Sequence, residues 1–225
     1  MASPFFCDSG HEVLHNTRHD TGVLAALLPV ALVTYLCMVY LDPTVALQIK
    51  QHLYANRIWS KYTALIPDAL LILVVLVTVG SYLMYRIRVA RRLFDLYTVL
   101  YKMMAIATPV SYGIKSIAKY LFGRITTREW LQTSGDLGFH WFSGGDRFNG
   151  FPSGHMVVIT VLIAVLWRLQ PCFRLLYLFL LLTLAMALIA TNYHFLSDVI
   201  TGAYLGFLVE VCVFNAVMKS FLKRA

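Results

Sequence analysis

The chain has 225 residues, is 59% apolar and only 13% charged, and has a mean hydropathy of +0.70. A soluble globule needs about a quarter charged residues, so an ordinary soluble domain is excluded, as are disorder, collagen and coiled coil. The net charge of +8, from 19 Lys+Arg against 11 Asp+Glu, points in so apolar a chain to membrane topology and anionic headgroups, not to nucleic acid.

Residues 1–20 carry His11, Glu12, His15, Arg18, His19 and Asp20 and lack the charged and apolar regions of a signal peptide. The first apolar run is therefore expected to be retained as a span. His11-Glu12-Val13-Leu14-His15 matches the zinc-protease string His-Glu-x-x-His. With ten residues before it there is no domain to wall a cleft, and the string precedes a span instead of lying inside one. A polar amphipathic segment at the cytoplasmic surface is the reading adopted.

A bilayer core needs roughly 20 apolar residues as a helix. Six stretches meet or approach that: Val23–Leu41, Ala64–Tyr85, Phe94–Ile114, Met156–Leu169, Phe173–Asn192 and Val199–Met218. The fourth is short and is expected to borrow its first turn from the preceding loop. The expected fold is all-α, a six-transmembrane-helix bundle forming one integral-membrane domain over 1–225. Trp59, Tyr62, Tyr82, Tyr85, Trp167 and Tyr177 fall near run ends, where an aromatic belt would place them. The four cysteines, Cys7, Cys37, Cys172 and Cys212, show no pairing or metal spacing and read as small apolar residues. With six spans, Arg18, Arg168, Arg174, Lys219 and the Arg86–Arg92 cluster share a side, which makes both termini cytoplasmic. The long Gly-rich loop 115–153 then faces outside as the expected active-site loop.

Phe151-Pro152-Ser153-Gly154-His155 runs straight into the fourth apolar stretch. Pro and Ser are helix-start signals, and the freed N–H groups there form an anion site. A histidine in that first turn can bind or protonate a phosphate oxygen, or it is simply an interface residue on a capped helix. Between the fifth and sixth stretches lies Asn192-Tyr193-His194-Phe195-Leu196-Ser197-Asp198. His194 and Asp198 are one helical turn apart, so the carboxylate can hold the imidazole in one tautomer, and the alternative is a structural pair. The two histidines lie 39 positions apart, about 58 Å of helix, or two crossings of a roughly 30 Å core. Both therefore return to one face, together with Lys115, Lys119 and Arg124. That grouping suits a phosphate-bearing ligand.

Lys119-Tyr-Leu-Phe-Gly-Arg124, Pro152-Ser-Gly-His155 and His194-x-x-x-Asp198, in a six-span chain, resemble the type 2 phosphatidic acid phosphatase family over roughly residues 64–218. The resemblance implies a phosphohistidine on His194, oriented by Asp198, with His155 protonating the leaving alkoxide. It implies that Lys119 and the backbone at Ser153 and Gly154 bind the phosphoryl oxygens, with no metal and no cofactor. The chain departs from the family in two places. The family's first motif ends in Arg-Pro where this chain has Thr126-Thr127, and its third motif carries an arginine where this chain has Leu188. Each lost oxyanion donor costs about 2.7–4 kcal/mol of transition-state stabilisation. Arg124 is the first candidate substitute, with Arg128 and Arg147 nearby, and the alternative for Arg124 is a snorkelling interface arginine.

The expected function is removal of phosphate from a lipid phosphate or polyprenyl diphosphate at the extracytoplasmic face of a membrane. Two alternatives stand beside it. One is a sphingomyelin-synthase-like or lipid-A-type phospho-headgroup transferase with the same His/His/Asp triad. The other is an inactive relative that binds an anionic lipid.

Overall fold

The computed structural model describes residues 17–53, 66–133, 135–145 and 147–222. The His11–His15 string, Cys7, Trp59 and Tyr62 lie outside the described residues. Helices α1 (Thr17–Ala25), α2 (Leu27–Leu36), a π-helical turn (Cys37–Leu41) and α3 (Asp42–Leu53) follow one another almost without a break. They are followed by α4 (Ile66–Ala90), α5 (Leu96–Phe122) and a short α6 (Thr127–Thr133). Next come α7 (Gly154–Leu169), a 3-10 turn (Pro171–Phe173), α8 (Arg174–Ala190) and α9 (Leu196–Leu222). All regular elements among the described residues are helical, and only isolated bridges link Arg124 to Phe139 and Asn149.

The first helical rod runs past the expected end at Leu41. Asp42 donates its backbone N–H to Cys37 O, five residues back. The register thus widens where Pro43, with no N–H of its own, must be accommodated. That continuation carries Asp42 into the protein interior, where it is 1% exposed.

Caps set the helix ends. Asp95 opens α5 by accepting the Thr98 N–H (3.1 Å), the N-cap arrangement that satisfies an orphan donor. Gly123 closes it at φ 50°, a left-handed conformation that glycine adopts without penalty. Ser153 caps α7, accepting from Met156 N–H (3.5 Å). Asp198, in the first turn of α9, reaches back to the Phe195 N–H (3.0 Å), the returning half of a capping box.

The core is built mainly from α5, α7 and α9. Leu100, Met103 and Ala107 of α5 meet Val161, Val165 and Leu169 of α7 and Val209, Val213, Phe214 and Val217 of α9. Met156 and Ile163 of α7 make a second cluster with Tyr177, Leu181 and Leu188 of α8. Helices α7 and α9 approach closely because glycines line the contact. A Cβ on Gly202 would fall 2.6 Å from Ser153 O, and one on Gly206 would fall 2.8 Å from Val157 O. Small residues of this kind bring helix backbones together inside membranes. Outward-facing Leu28, Leu76, Leu175 and Met186 are exposed, as a lipid-facing surface requires.

Four helical stretches among the described residues are long and apolar enough to cross a membrane: Leu27–His52, Ile72–Ala90, Pro171–Ala190 and Leu196–Lys219. Helix α7, with 16 residues, is shorter. Helix α5 has 27 residues, about 40 Å, but Lys102, Lys115 and Lys119 dilute its apolar character. The end of the bundle away from Ser153 holds a buried ionic cluster. Arg168 Nε donates to Glu210 Oε1 (2.6 Å) and Arg168 Nη2 to Asp20 Oδ1 (2.7 Å), tying α1, α7 and α9 together.

Candidate active site

Four chain ends meet at one end of the bundle: the start of α3, the end of α5, the start of α7 and the turn between α8 and α9. Helix α7 begins at Gly154, so the N–H groups of its first turn have no intrahelical acceptors and present a partial positive charge. A Cβ on Gly154 would lie 2.8 Å from Lys115 Cδ and 3.6 Å from Lys119 Cε. The missing side chain leaves room for the Lys115 stem across the helix start, with Lys119 at ordinary contact distance beside it. Lys119 Nζ donates to Asn149 O (2.7 Å), and Lys115 Nζ sits 3.9 Å above the Tyr112 ring. Lys119 lies beyond the apolar part of α5. Burial pushes its pKa down to about 8, with the neighbouring Lys115 adding to the fall and Asp198 opposing it.

His155 occupies the first turn of α7 and His194 the turn before α9, and both are buried. Their ring centroids are 6.2 Å apart, and Tyr193 packs edge-on against both. The loops are stapled together by the Ser153 N–H, which donates to Asp198 O (3.0 Å). His194 Nδ1 lies 3.7 Å from Asp198 Oδ2, longer than a hydrogen bond, and neither ring nitrogen reaches a partner within normal geometry. Burial pushes the His194 imidazole below its ordinary pKa, the Asp198 carboxylate opposes that, and Lys119 reinforces it. The neutral form is favoured.

The other Asp198 oxygen belongs to a buried charge network. Arg124 Nη1 donates to Asp198 Oδ1 (2.6 Å) and Ser197 Oγ (2.7 Å), and Nη2 to Asp42 Oδ2 (2.8 Å). Its Nε donates to Leu137 O (3.3 Å). Asp42 also accepts the Ser197 N–H (3.0 Å) and the Ser197 hydroxyl. Arg124 is 1% exposed. Burial opposes its charge, but Asp198 and Asp42 outweigh it and hold its pKa above the ordinary value. Charge-assisted bonds of this kind are short and directional. They fix Asp198 under His194.

The expected site residues therefore divide. Lys119, Ser153, Gly154, His155, His194 and Asp198 gather at one place. Arg124 is there too, but its donors go to the Asp42 and Asp198 carboxylates, the Ser197 hydroxyl and the Leu137 carbonyl. Arg128 Nη2 donates to Thr191 O (3.3 Å) with its guanidinium over the Tyr193 ring (5.0 Å). Arg147 pairs with Glu129 (3.5 Å) at the surface. Leu188 is buried in the apolar core, and Thr127 is buried as well. Sequence reasoning missed Asp42. A lone carboxylate closing an apolar run was the available signal, since ionisable groups at membrane depth are functional candidates by default. Among the described residues no three His, Cys, Asp or Glu side chains come together as a metal site.

A helical membrane bundle holding two histidines, a carboxylate and lysines around one helix start is phosphatase-like in construction. A family model described as PAP2 superfamily matches residues 96–222, just over half of the chain and all of α5 to α9, and the chain belongs to that superfamily. Its members are generally phosphatases. No curated relative and no solved structure matches the chain.

Proposed function

We propose that this protein is a six-span lipid phosphatase that hydrolyses a lipid phosphate or diphosphate at the extracytoplasmic face, through a phosphohistidine on His194. The observation that carries the reading is the meeting of His155 and His194 at 6.2 Å, beside Lys119 and above Asp198. A phosphoryl group between the two rings meets a nucleophile and a proton donor.

Nδ1 of His194 faces Asp198, so Nε2 attacks phosphorus. The P–N bond forms as the P–O bond to the lipid breaks, and His155, entering protonated, gives its proton to the departing alkoxide. His155, now neutral, then takes a proton from water. The water oxygen attacks phosphorus, the P–N bond breaks, and phosphate leaves with His194 restored. Phosphoryl transfer of this kind depends on positioning and charge stabilisation more than on covalent help from other groups. Lys119 and the first N–H groups of α7 supply the charge, and Arg124 contributes by holding Asp198. Ser153 caps and shapes that helix start.

A second reading, transfer of a phospho-headgroup to a lipid acceptor, draws on the commitment of Arg124 to carboxylates. A singly charged phosphodiester needs a weaker clamp than a monoester. Incubating the detergent-purified protein with phosphatidic acid, lysophosphatidic acid and a polyprenyl diphosphate decides between them. Phosphate release that vanishes in His194→Ala supports the phosphatase. Release absent on every substrate, with both proteins folded, overturns hydrolysis across that panel, and a new headgroup lipid formed in a mixed-lipid assay identifies the transferase.

A further inference from the structure

The cations around the helix start are unevenly committed. Arg124 is spent on Asp42 and Asp198. Arg128 donates to Thr191 O. Two ammonium groups, those of Lys115 and Lys119, lie beside the start of α7, and the family resemblance assigns phosphate binding to Lys119 alone.

We propose that Lys115 is a second phosphate-binding cation of this site, paired with Lys119 across Gly154, and that the pair selects a dianionic terminal phosphate over a singly charged diester. The proposal rests on the phosphate-transfer reading above and deepens it.

Lys115 and Lys119 are one turn apart on α5, the spacing at which like charges on a helix repel. A Cβ built on Gly154 would lie 3.5 Å from Lys115 Nζ and 3.6 Å from Lys119 Cε, so both side chains pass beside the same point. That point is also the positive end of the α7 dipole. Three positive features converge there, and Asp198, the nearby carboxylate, is committed to Arg124. An arrangement so unfavourable on its own becomes favourable when an anion joins it. Burial is the main cause of the depressed Lys119 pKa, and the neighbouring Lys115 charge adds to it.

A second observation points to a ligand at this place. The His194 side chain is only 3% exposed, yet neither ring nitrogen makes a hydrogen bond of normal geometry, with Asp198 Oδ2 at 3.7 Å from Nδ1 and the Gly150 backbone as the groups nearby. Buried polar atoms of that kind are rare without a reason. The Tyr112 ring meanwhile holds the Lys115 ammonium by a cation–π contact at 3.9 Å, which positions it before any ligand arrives. Each ammonium has three donors, and Lys119 gives one to Asn149 O. Two ammonium groups match the two charges of a terminal phosphate. A diester offers one charge and has two of its oxygens alkylated.

The test is isothermal titration of orthophosphate and orthovanadate into the full-length protein in detergent at pH 7.5. Dimethyl phosphate serves as the singly charged comparison. The proteins are wild type, Lys115→Met, Lys115→Arg and Lys119→Met, with Lys115→Gln used should the Met variant fail to fold. Lys115→Met weakens oxyanion binding by about tenfold or more, the scale of one charge-assisted hydrogen bond, and Lys115→Arg restores most of it. Wild type prefers phosphate over dimethyl phosphate, and the preference shrinks in Lys115→Met. Wild-type affinity in Lys115→Met, with binding lost in Lys119→Met, overturns the role of Lys115 and leaves the phosphate site standing. Equal wild-type binding of phosphate and dimethyl phosphate overturns the dianion preference. Failure of wild type to bind either oxyanion overturns this proposal and the phosphate reading together.

Discussion

Replacing Arg124 by Met removes a guanidinium that is 1% exposed and holds two carboxylates. Breaking a buried ion pair by deleting one partner costs about 3–5 kcal/mol, because the other charge is left buried and unpaired. Here one deletion strands both Asp42 and Asp198, whose side chains are 0% exposed, so the loss should fall near the top of that range, about 4–5 kcal/mol. Adding Asp42→Asn removes one stranded charge and should return about half of it, roughly 2 kcal/mol. Arg124→Lys, whose single ammonium cannot bridge both carboxylates, should fall between wild type and Met. Unfolding in mixed micelles, followed by circular dichroism, reads these differences directly. If Arg124→Met unfolds within about 0.5 kcal/mol of wild type while losing about 100-fold in phosphate affinity, the guanidinium faces the ligand. The reasoning that it locks Asp198 would then be wrong.

The remaining expectations concern pH, packing and the far end of the bundle. The Lys119 ammonium is present below its pKa of about 8 and is lost above it, so kcat/KM for phosphate release should fall as pH rises through that value. Loss of the His155 proton gives kcat/KM an alkaline fall of its own, so Lys119→Arg should remove only the component near 8, and a profile unchanged through that value in the variant would refute the assignment. The His194 pKa lies below its ordinary value, so the acid limb belonging to the neutral nucleophile should fall below about 6.5, the imidazole reference. Gly206→Leu places a side chain where even a Cβ meets Val157 O at 2.8 Å. It should cost about 1–3 kcal/mol or more by overpacking and lower phosphate release by spreading α7 from α9, as melting and turnover measured together would show. Glu210→Leu leaves the Arg168 charge short of its main carboxylate and should destabilise by about 3–5 kcal/mol. Phosphate affinity of the folded fraction should not move.

How much of this was legible in the chain follows from where each partner lies. The strings Ser153-Gly154-His155 and His194-x-x-x-Asp198 carry their own helix starts, and the distance between them is that of two helices, α7 and α8, running out and back. Their meeting could therefore be worked out from residue numbers and helix rise. The destination of Arg124 could not. It depends on Asp42, 82 positions upstream, and Asp198, 74 downstream, and no local pattern names a partner at such separations. Asp42 was hidden further because Leu41-Asp42-Pro43 looks like a helix end, whereas a π turn carries the helix through to Leu53. Arg128 was a reasonable candidate by position, but the short α6 turns it toward Thr191. The crowding of Lys115 and Lys119 over Gly154 depends on how α5 packs against α7, which only the assembled bundle specifies.

Trapping the phosphoenzyme shows whether His194 carries the phosphoryl group. The folded protein is mixed briefly with a lipid labelled in its terminal phosphate, quenched in alkali, and digested for mass spectrometry of the peptide spanning 192–198. The account predicts label on His194, its loss in His194→Ala, and a slower breakdown of the labelled intermediate in His155→Ala, where no base remains to activate water. Label on any other residue, or label that survives in His194→Ala, would contradict it.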